Sequence, residues 1–196
     1  PPKIPPESEL EAHLGHEWRV ARFSNLMPRR VEEVLLVSSA YDSFILEEDG
    51  VLTEMVFSEY TDLSLTHAPR VTHVSAATEA LRLLETRRFD LVITMLRLGD
   101  MELKQFSAAV RALNRELPII LLIANEIELD RLGDRAALDV DSIYVWHGDA
   151  KLFLAMIKAT EDQWNAEHDT REGGVGVIIV IEDSVRHIPG LVNVVQ

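Results

Sequence analysis

Short, unbroken apolar runs recur along the chain, and segments with apolar residues every three or four positions lie between them. Val34-Leu35-Leu36-Val37, Leu91-Val92-Ile93, Ile119-Ile120-Leu121-Leu122-Ile123 and Ile143-Tyr144-Val145 have the length and side-chain branching of strands buried on both faces. Arg70 to Ser75, introduced by Pro69, reads as a weaker, alternating strand. The helical period predicts helices over Ser43–Tyr60 (broken near Gly50), Ala76–Arg87, Met101–Asn114, Glu126–Leu132 and Ala150–Glu167. In the third of these, Phe106, Ala109, Val110 and Leu113 follow the i, i+3, i+4, i+7 rule; in the last, Leu152, Ala155, Met156 and Ala159 form the packing stripe. Strand and helix alternating five times imply right-handed crossovers. The expected fold is α/β: a five-stranded parallel flavodoxin-like sheet with helices on both faces. Its binding edge lies at the carboxyl ends of the strands.

The two ends of the chain follow other patterns. Four prolines among the first six residues predict an extended lead-in. Ser8 and Glu11 have capping-box spacing, and Leu10, Leu14, Trp18 and Ala21 share one face of a helix expected over Glu9–Ser24. At the other end, Gly173-Gly174 leads to a further buried-type strand, Val177–Ile181, followed by Glu182-Asp183. With only twelve residues after Ser184, this strand is expected to be the truncated start of a second unit. The expected division is 1–30 for lead-in and helix, 31–165 for the α/β domain, and 166–196 for the linker and truncated unit.

Composition narrows the function classes. Of 196 residues, 47% are apolar and 27% charged, the balance of a globular protein. No apolar run approaches the ~20 residues of a membrane span, so no membrane role is expected. The absence of cysteine removes disulfides, thiolate catalysis and zinc–cysteine sites, and fits a reducing cytoplasm. Net charge is −14. Residues 1–30 hold five basic and four acidic side chains, which leaves 14 basic against 29 acidic in the rest. Nucleic-acid binding needs clustered Lys and Arg to displace counterions, and none is expected here.

The stretch Thr78-Glu79-Ala80-Leu81 … Phe89-Asp90-Leu91-Val92-Ile93-Thr94-Met95-Leu96-Arg97-Leu98-Gly99-Asp100-Met101 resembles the central part of response-regulator receiver domains. The resemblance extends over about Val34 to Thr160. It implies a site in which a strand-end Asp accepts a phosphoryl group, an acidic pair holds Mg²⁺, a Thr or Ser reads the phosphate and a Lys pairs with it. Carried over by position, the acceptor falls on Met95 and the acidic pair on Ser38 and Ser39. The hydroxyl position falls on Ile123 and the lysine position on Trp146, with Gly99 and His147 replacing the usual prolines. Methionine has no nucleophilic oxygen, serines are poor Mg²⁺ ligands and isoleucine cannot bond a phosphate. The resemblance is therefore to a degenerate receiver, a pseudo-receiver, with no catalytic residue and no cofactor.

Tyr41-Asp42-Ser43-Phe44-Ile45-Leu46-Glu47-Glu48-Asp49-Gly50, Leu96–Met101 and Ala166-Glu167-His168-Asp169-Thr170-Arg171 look like the receiver-like region of multidomain bacterial proteins related to phosphoenolpyruvate synthase and pyruvate phosphate dikinase. In that group a second receiver follows, and Glu182-Asp183 fits its start. The implied role is a signalling or docking module for other domains, a partner protein or a second copy. The alternative is a small-molecule or nucleotide sensor in the same crevice.

Other chemistry-bearing residues have structural readings. Asp42 suits a helix cap, and Glu47–Asp49 a solvated turn instead of a cation site. Asp90 sits at the wrong end of its strand for a phospho-acceptor, and Asp100 is expected to cap the helix after it. His13 and His16 lack a carboxylate partner for a metal. Trp146 and His147 are candidates for a recognition surface; the alternative is that Trp146 fills the vacated pocket. Trp18 and Trp164 are candidate interface anchors.

Overall fold

The computed structural model describes residues 26–39, 68–125, 127–128, 132, 135–146 and 151–173. The helices expected over Glu9–Ser24 and Ser43–Tyr60 and the strand expected over Val177–Ile181 lie outside the described residues. So does most of the one expected over Glu126–Leu132.

Five parallel strands form one sheet in the order β2-β1-β3-β4-β5. They are β1 (Glu33–Val37), β2 (Arg70–Val74), β3 (Leu91–Met95), β4 (Ile119–Ile123) and β5 (Ser142–Val145). Helix α1 (Ala77–Thr86) links β2 to β3, α2 (Leu103–Leu113) links β3 to β4, and α3 (Lys151–Gly173) follows β5. The flavodoxin-like order read from the apolar runs is the order observed.

The central strands β3 and β4 are buried at every residue. A strand covered on both faces needs apolar side chains in both phases of its two-residue period, which is why these runs do not alternate. One face, with Leu35, Val37, Val92 and Ile119, packs against Ala77 and Ala80 of α1 and Phe106 and Val110 of α2. The opposite phase (Val34, Leu36, Leu91, Ile93, Ile120, Leu122) is equally enclosed. Two stripe positions depart from the expected pattern. Leu113, in the last turn of α2, is 46% exposed, and Ala159 of α3 is also exposed. Instead, Leu152 to Ile157 form a continuous buried stretch, because the first turns of α3 are enclosed around most of their circumference.

Three aspartates fasten backbone amides that would otherwise lack acceptors. Asp90, just before β3, accepts from Glu32 N and Glu33 N, both at 2.9 Å, at the amino end of β1. Asp141, just before β5, accepts from Ile119 N at 2.7 Å and from Arg111 Nη2 at 2.7 Å. Asp100 accepts from Ala77 N at 2.8 Å, Thr78 N at 3.0 Å and Thr78 Oγ1 at 2.7 Å. This corrects the expectation for Asp100: it caps α1, the helix before it in sequence. Ala76 at the α1 N-cap and Glu102 at the α2 N-cap make no capping bond through their side chains. The turn explains the reversal. Gly99 has φ +77°, and Asp100 N donates to Leu98 O at 2.9 Å, closing a γ-turn that directs the Asp100 side chain back toward α1. The Thr78 hydroxyl, aided by the Thr78 and Ala77 amides, holds the Asp100 carboxyl below its ordinary value.

The described residues divide into two compact units, Val31–Thr160 and a smaller one made of residues 26–30 with 161–173. Within the smaller unit, Asn165 Oδ1 accepts from Arg29 N at 3.0 Å, and its Nδ2 donates to Arg29 O and Glu161 O, both at 2.7 Å. The Asp169 carboxylate accepts from Met27 N at 3.1 and 3.2 Å. The helix thus runs past Glu167, where its polar composition suggested an end, to Gly173. Part of that polarity is spent on the preceding chain segment.

Candidate functional site

The carboxyl edge of the sheet brings together four of the positions that sequence singled out. Val37 pairs with Thr94 and Met95 with Leu122, so Ser38, one residue beyond β1, lies level with Met95 on the neighbouring strand. Ile123 ends β4 opposite Val145, and Trp146 N donates to Ile123 O at 2.8 Å. Ser38, Met95, Ile123 and Trp146 therefore occupy one edge in the strand order β1, β3, β4, β5.

Their chemistry is that of a closed apolar rim. Met95 is 2% exposed and Ile123 fully buried, the latter packed with Leu103, Leu121 and Val145. Trp146 is 8% exposed and meets Phe153 of α3 edge-to-face, with ring centroids 5.6 Å apart and planes at 69°. Ser38 is buried, and its hydroxyl lies 2.9 Å from His73 Nε2. It is thus engaged with an imidazole that no sequence motif had marked. His73 became visible as a neighbour only through the β1–β2 register, which pairs Leu36 with His73. Ser39 is half-buried beside it. The Thr94 hydroxyl bonds Met95 O at 3.2 Å. Among the described residues, no three His, Asp or Glu side chains converge to hold a metal ion. No described helix is long and apolar enough to cross a membrane.

Beside this rim lies a polar crossing that sequence reading missed. Arg97, two residues past Met95, reaches Glu128 across the loops, with Nη2 3.2 Å from Oε1. The other Glu128 oxygen accepts from Ala124 N at 3.1 Å, and Glu128 N donates to Asn125 Oδ1 at 3.0 Å. The only sequence signal was the Asn-x-x-Glu spacing after β4, which resembles a cap and gives no hint of Arg97.

Two further candidates, Asp90 and Asp100, do not join this edge. Asp90 lies at the amino end of β3 and Asp100 on the α1 cap, both in structural roles. Trp164 belongs to the smaller unit, half-buried, with the Arg29 guanidinium 3.9 Å from its ring centroid. Trp18, His13, His16, Asp42, Glu47, Glu48, Asp49, His147, Glu182 and Asp183 lie outside the described residues.

No protein-family model matches the chain, and no curated protein matches it by sequence. Solved structures do match. The chemotaxis response regulator CheY4 of Vibrio cholerae aligns at 20% identity and TM-score 0.50, covering 66% of this chain and 98% of that one. The response regulator TrrA of Thermotoga maritima, solved with Mg²⁺ and BeF, aligns at 18% identity and TM-score 0.51 over 66% and 98%. The receiver domain of a sensor histidine kinase of Pseudomonas aeruginosa, with magnesium in its active-site cleft, aligns at 22% identity and TM-score 0.50 over 67% and 98%. At these identities the likeness is one of fold, and the fold it shows in this chain is that of a receiver-like domain.

Proposed function

We propose that the α/β domain is a phosphorylation-independent pseudo-receiver, a docking module and not an enzyme. The observation that carries this reading is the buried methionine at the end of β3, where a receiver presents its acceptor carboxylate. The neighbouring positions agree with it: Ser38 is bonded to His73, Ile123 is sealed in the core, and Trp146 is packed on Phe153. A receiver without its reaction retains its surface, so its contribution to signalling lies in contacts with other domains, a partner protein or a second copy. The phrases that resemble phosphoenolpyruvate synthase-type proteins support a setting in a bacterial, cytoplasmic multidomain protein of that kind, with any phosphotransfer carried out by other parts.

The competing reading, a small-molecule sensor in the same crevice, is less well supported, because Met95, Ile123 and Trp146 fill the edge with their own side chains. Incubation with Mg²⁺ and acetyl phosphate should leave the intact mass unchanged, and beryllofluoride should leave the amide spectrum unchanged. Stoichiometric addition of one phosphoryl group would overturn the proposal. Saturable protection of the melting temperature by a metabolite or nucleotide would favour the sensor.

A further inference from the structure

Within the smaller unit, the last turns of α3 grip a stretch of main chain. Asn165 is 1% exposed and holds both backbone groups of one residue: its Oδ1 accepts from Arg29 N at 3.0 Å and its Nδ2 donates to Arg29 O at 2.7 Å. A side-chain amide that meets the N–H and C=O of a single residue copies the pairing a neighbouring strand would make. Four residues further along the same helix face, the Asp169 carboxylate accepts from Met27 N at 3.1 and 3.2 Å. Asp169 Oδ1 also lies 3.0 Å from His168 Nδ1, which steadies the carboxylate from the helix side. Pro28, between the two gripped residues, has no N–H to satisfy. Every main-chain N–H from Met27 to Arg29 therefore ends on a side chain of α3.

Main-chain bonds alone would hold many segments; two further features make this grip selective. The Arg29 guanidinium lies 3.9 Å from the centroid of the Trp164 ring, close enough for the π face to attract the cation. Among the described residues Arg29 has no carboxylate partner, so the indole is what receives its charge. Met27 has φ +56°, a left-handed conformation that is costly for any residue but glycine. Strain of this kind persists where the surroundings hold the backbone, and here Asp169 holds it at the Met27 amide. The segment is shaped to the helix as a bound peptide is shaped to its site.

We propose that Trp164, Asn165 and Asp169 form a recognition strip for an apolar-Pro-Arg segment, filled in cis by Met27-Pro28-Arg29 and open to the same segment of a second copy when its own is released. The second copy is the occupant because it carries the one sequence that the geometry is seen to fit. Asn165 and Asp169 read the main chain, Pro28 removes the N–H that would otherwise need an acceptor, and Trp164 reads the arginine. In the unaltered chain the tethered segment competes at high effective concentration, so exchange between copies is held in check. The strip lies in the smaller unit and stands apart from the receiver-like domain and its reaction.

The test follows the Trp164 indole N–H resonance in ¹⁵N-labelled full chain. Arg29→Pro removes the donated N–H and the guanidinium together and so empties the strip. A peptide copying residues 24–31 should shift the indole saturably in Arg29→Pro, with at least about tenfold weaker apparent binding to the unaltered chain. The same peptide with alanine in place of its first arginine should bind roughly threefold or more weakly, the worth of the ring contact. Unlabelled Asn165→Leu chain, whose strip is broken but whose segment is intact, should reproduce the peptide's shift; unlabelled Arg29→Pro chain should not. If Asn165→Leu unfolds, Asn165→Asp, which keeps the acceptor but loses the donor to Arg29 O, takes its place. Absence of any peptide response in Arg29→Pro, or an equal response to the alanine peptide, would overturn the strip. A response to the peptide but none to the Asn165→Leu or Asn165→Asp chain would overturn the second copy as its occupant.

Discussion

A carboxylate at the end of a central strand is tolerable when water, a metal or a lysine reaches it; enclosed in apolar side chains it is not. Met95 sits in the second situation, 2% exposed, with Ile123 sealed and Trp146 packed on Phe153 nearby. Met95→Asp should therefore lower stability by several kcal/mol, roughly 3 or more, and should not restore phosphoryl uptake, because Ser38 and Ser39 supply no carboxylate for Mg²⁺. Chemical denaturation and intact mass after acetyl phosphate would check the two halves. At Asp100 the charge is useful. Its carboxyl is lowered from 3.8 by the Thr78 hydroxyl and the adjacent amides. A lowered value means the cap's contribution is present above the unfolded value of 3.8 and is lost as pH falls through the folded value beneath it. Asp100→Ala should cost about 1 kcal/mol near neutral pH, the usual worth of a helix cap. Melting curves of the two proteins should converge in acid below the carboxylate range.

At the scale of elements, Arg111 and Asp141 show how a helix is tied to a strand. Arg111 Nη1 donates to Leu117 O at 2.6 Å and its Nη2 to Asp141, while Asp141 also accepts the first amide of β4. Asp141→Ala would leave the Ile119 amide without its acceptor at the start of a fully buried strand. A loss of about 2 kcal/mol is expected, and Asp141→Asn, which keeps an acceptor, should lose less in the same urea titration. The strands and their order were legible in sequence because burial on both faces leaves an unbroken apolar run, and parallel pairing follows from the intervening helices. The edge positions Ser38, Met95, Ile123 and Trp146 were singled out through the resemblance to receiver domains, and the strand register sets them along one edge. Contacts between distant loops were not. Asp100 precedes α2, and sequence spacing assigned it there; only the γ-turn at Gly99 sends it to α1. Ser38–His73 and Arg97–Glu128 depend on register and loop path, which no local pattern encodes. Ala159 and Leu113 fit the helical period and still lie in the open, because periodicity identifies a face without fixing how far the neighbouring layer extends.

At the scale of the whole molecule, the polar half of α3 and the segment before β1 form a unit of their own, joined by Asn165 and Asp169. Asn165 is buried and satisfies both the N–H and C=O of Arg29, so a non-bonding side chain there strands two backbone groups. Asn165→Leu should speed hydrogen exchange at the Arg29 amide by at least about tenfold, while the amides of β3 and β4 keep their protection. Loss of protection throughout the sheet would show that the two units unfold together. The Asp100 cap bears on cooperativity within the larger unit. Helix α1 is made before β3 along the chain, yet two of its first amides are satisfied only by a carboxylate from beyond β3. Its first turn therefore gains this cap only once β3 has been placed and the γ-turn closed. Opening of β3 or of the turn at Gly99 should therefore also loosen the first turn of α1, which amide hydrogen exchange at Ala77 and Thr78 would read.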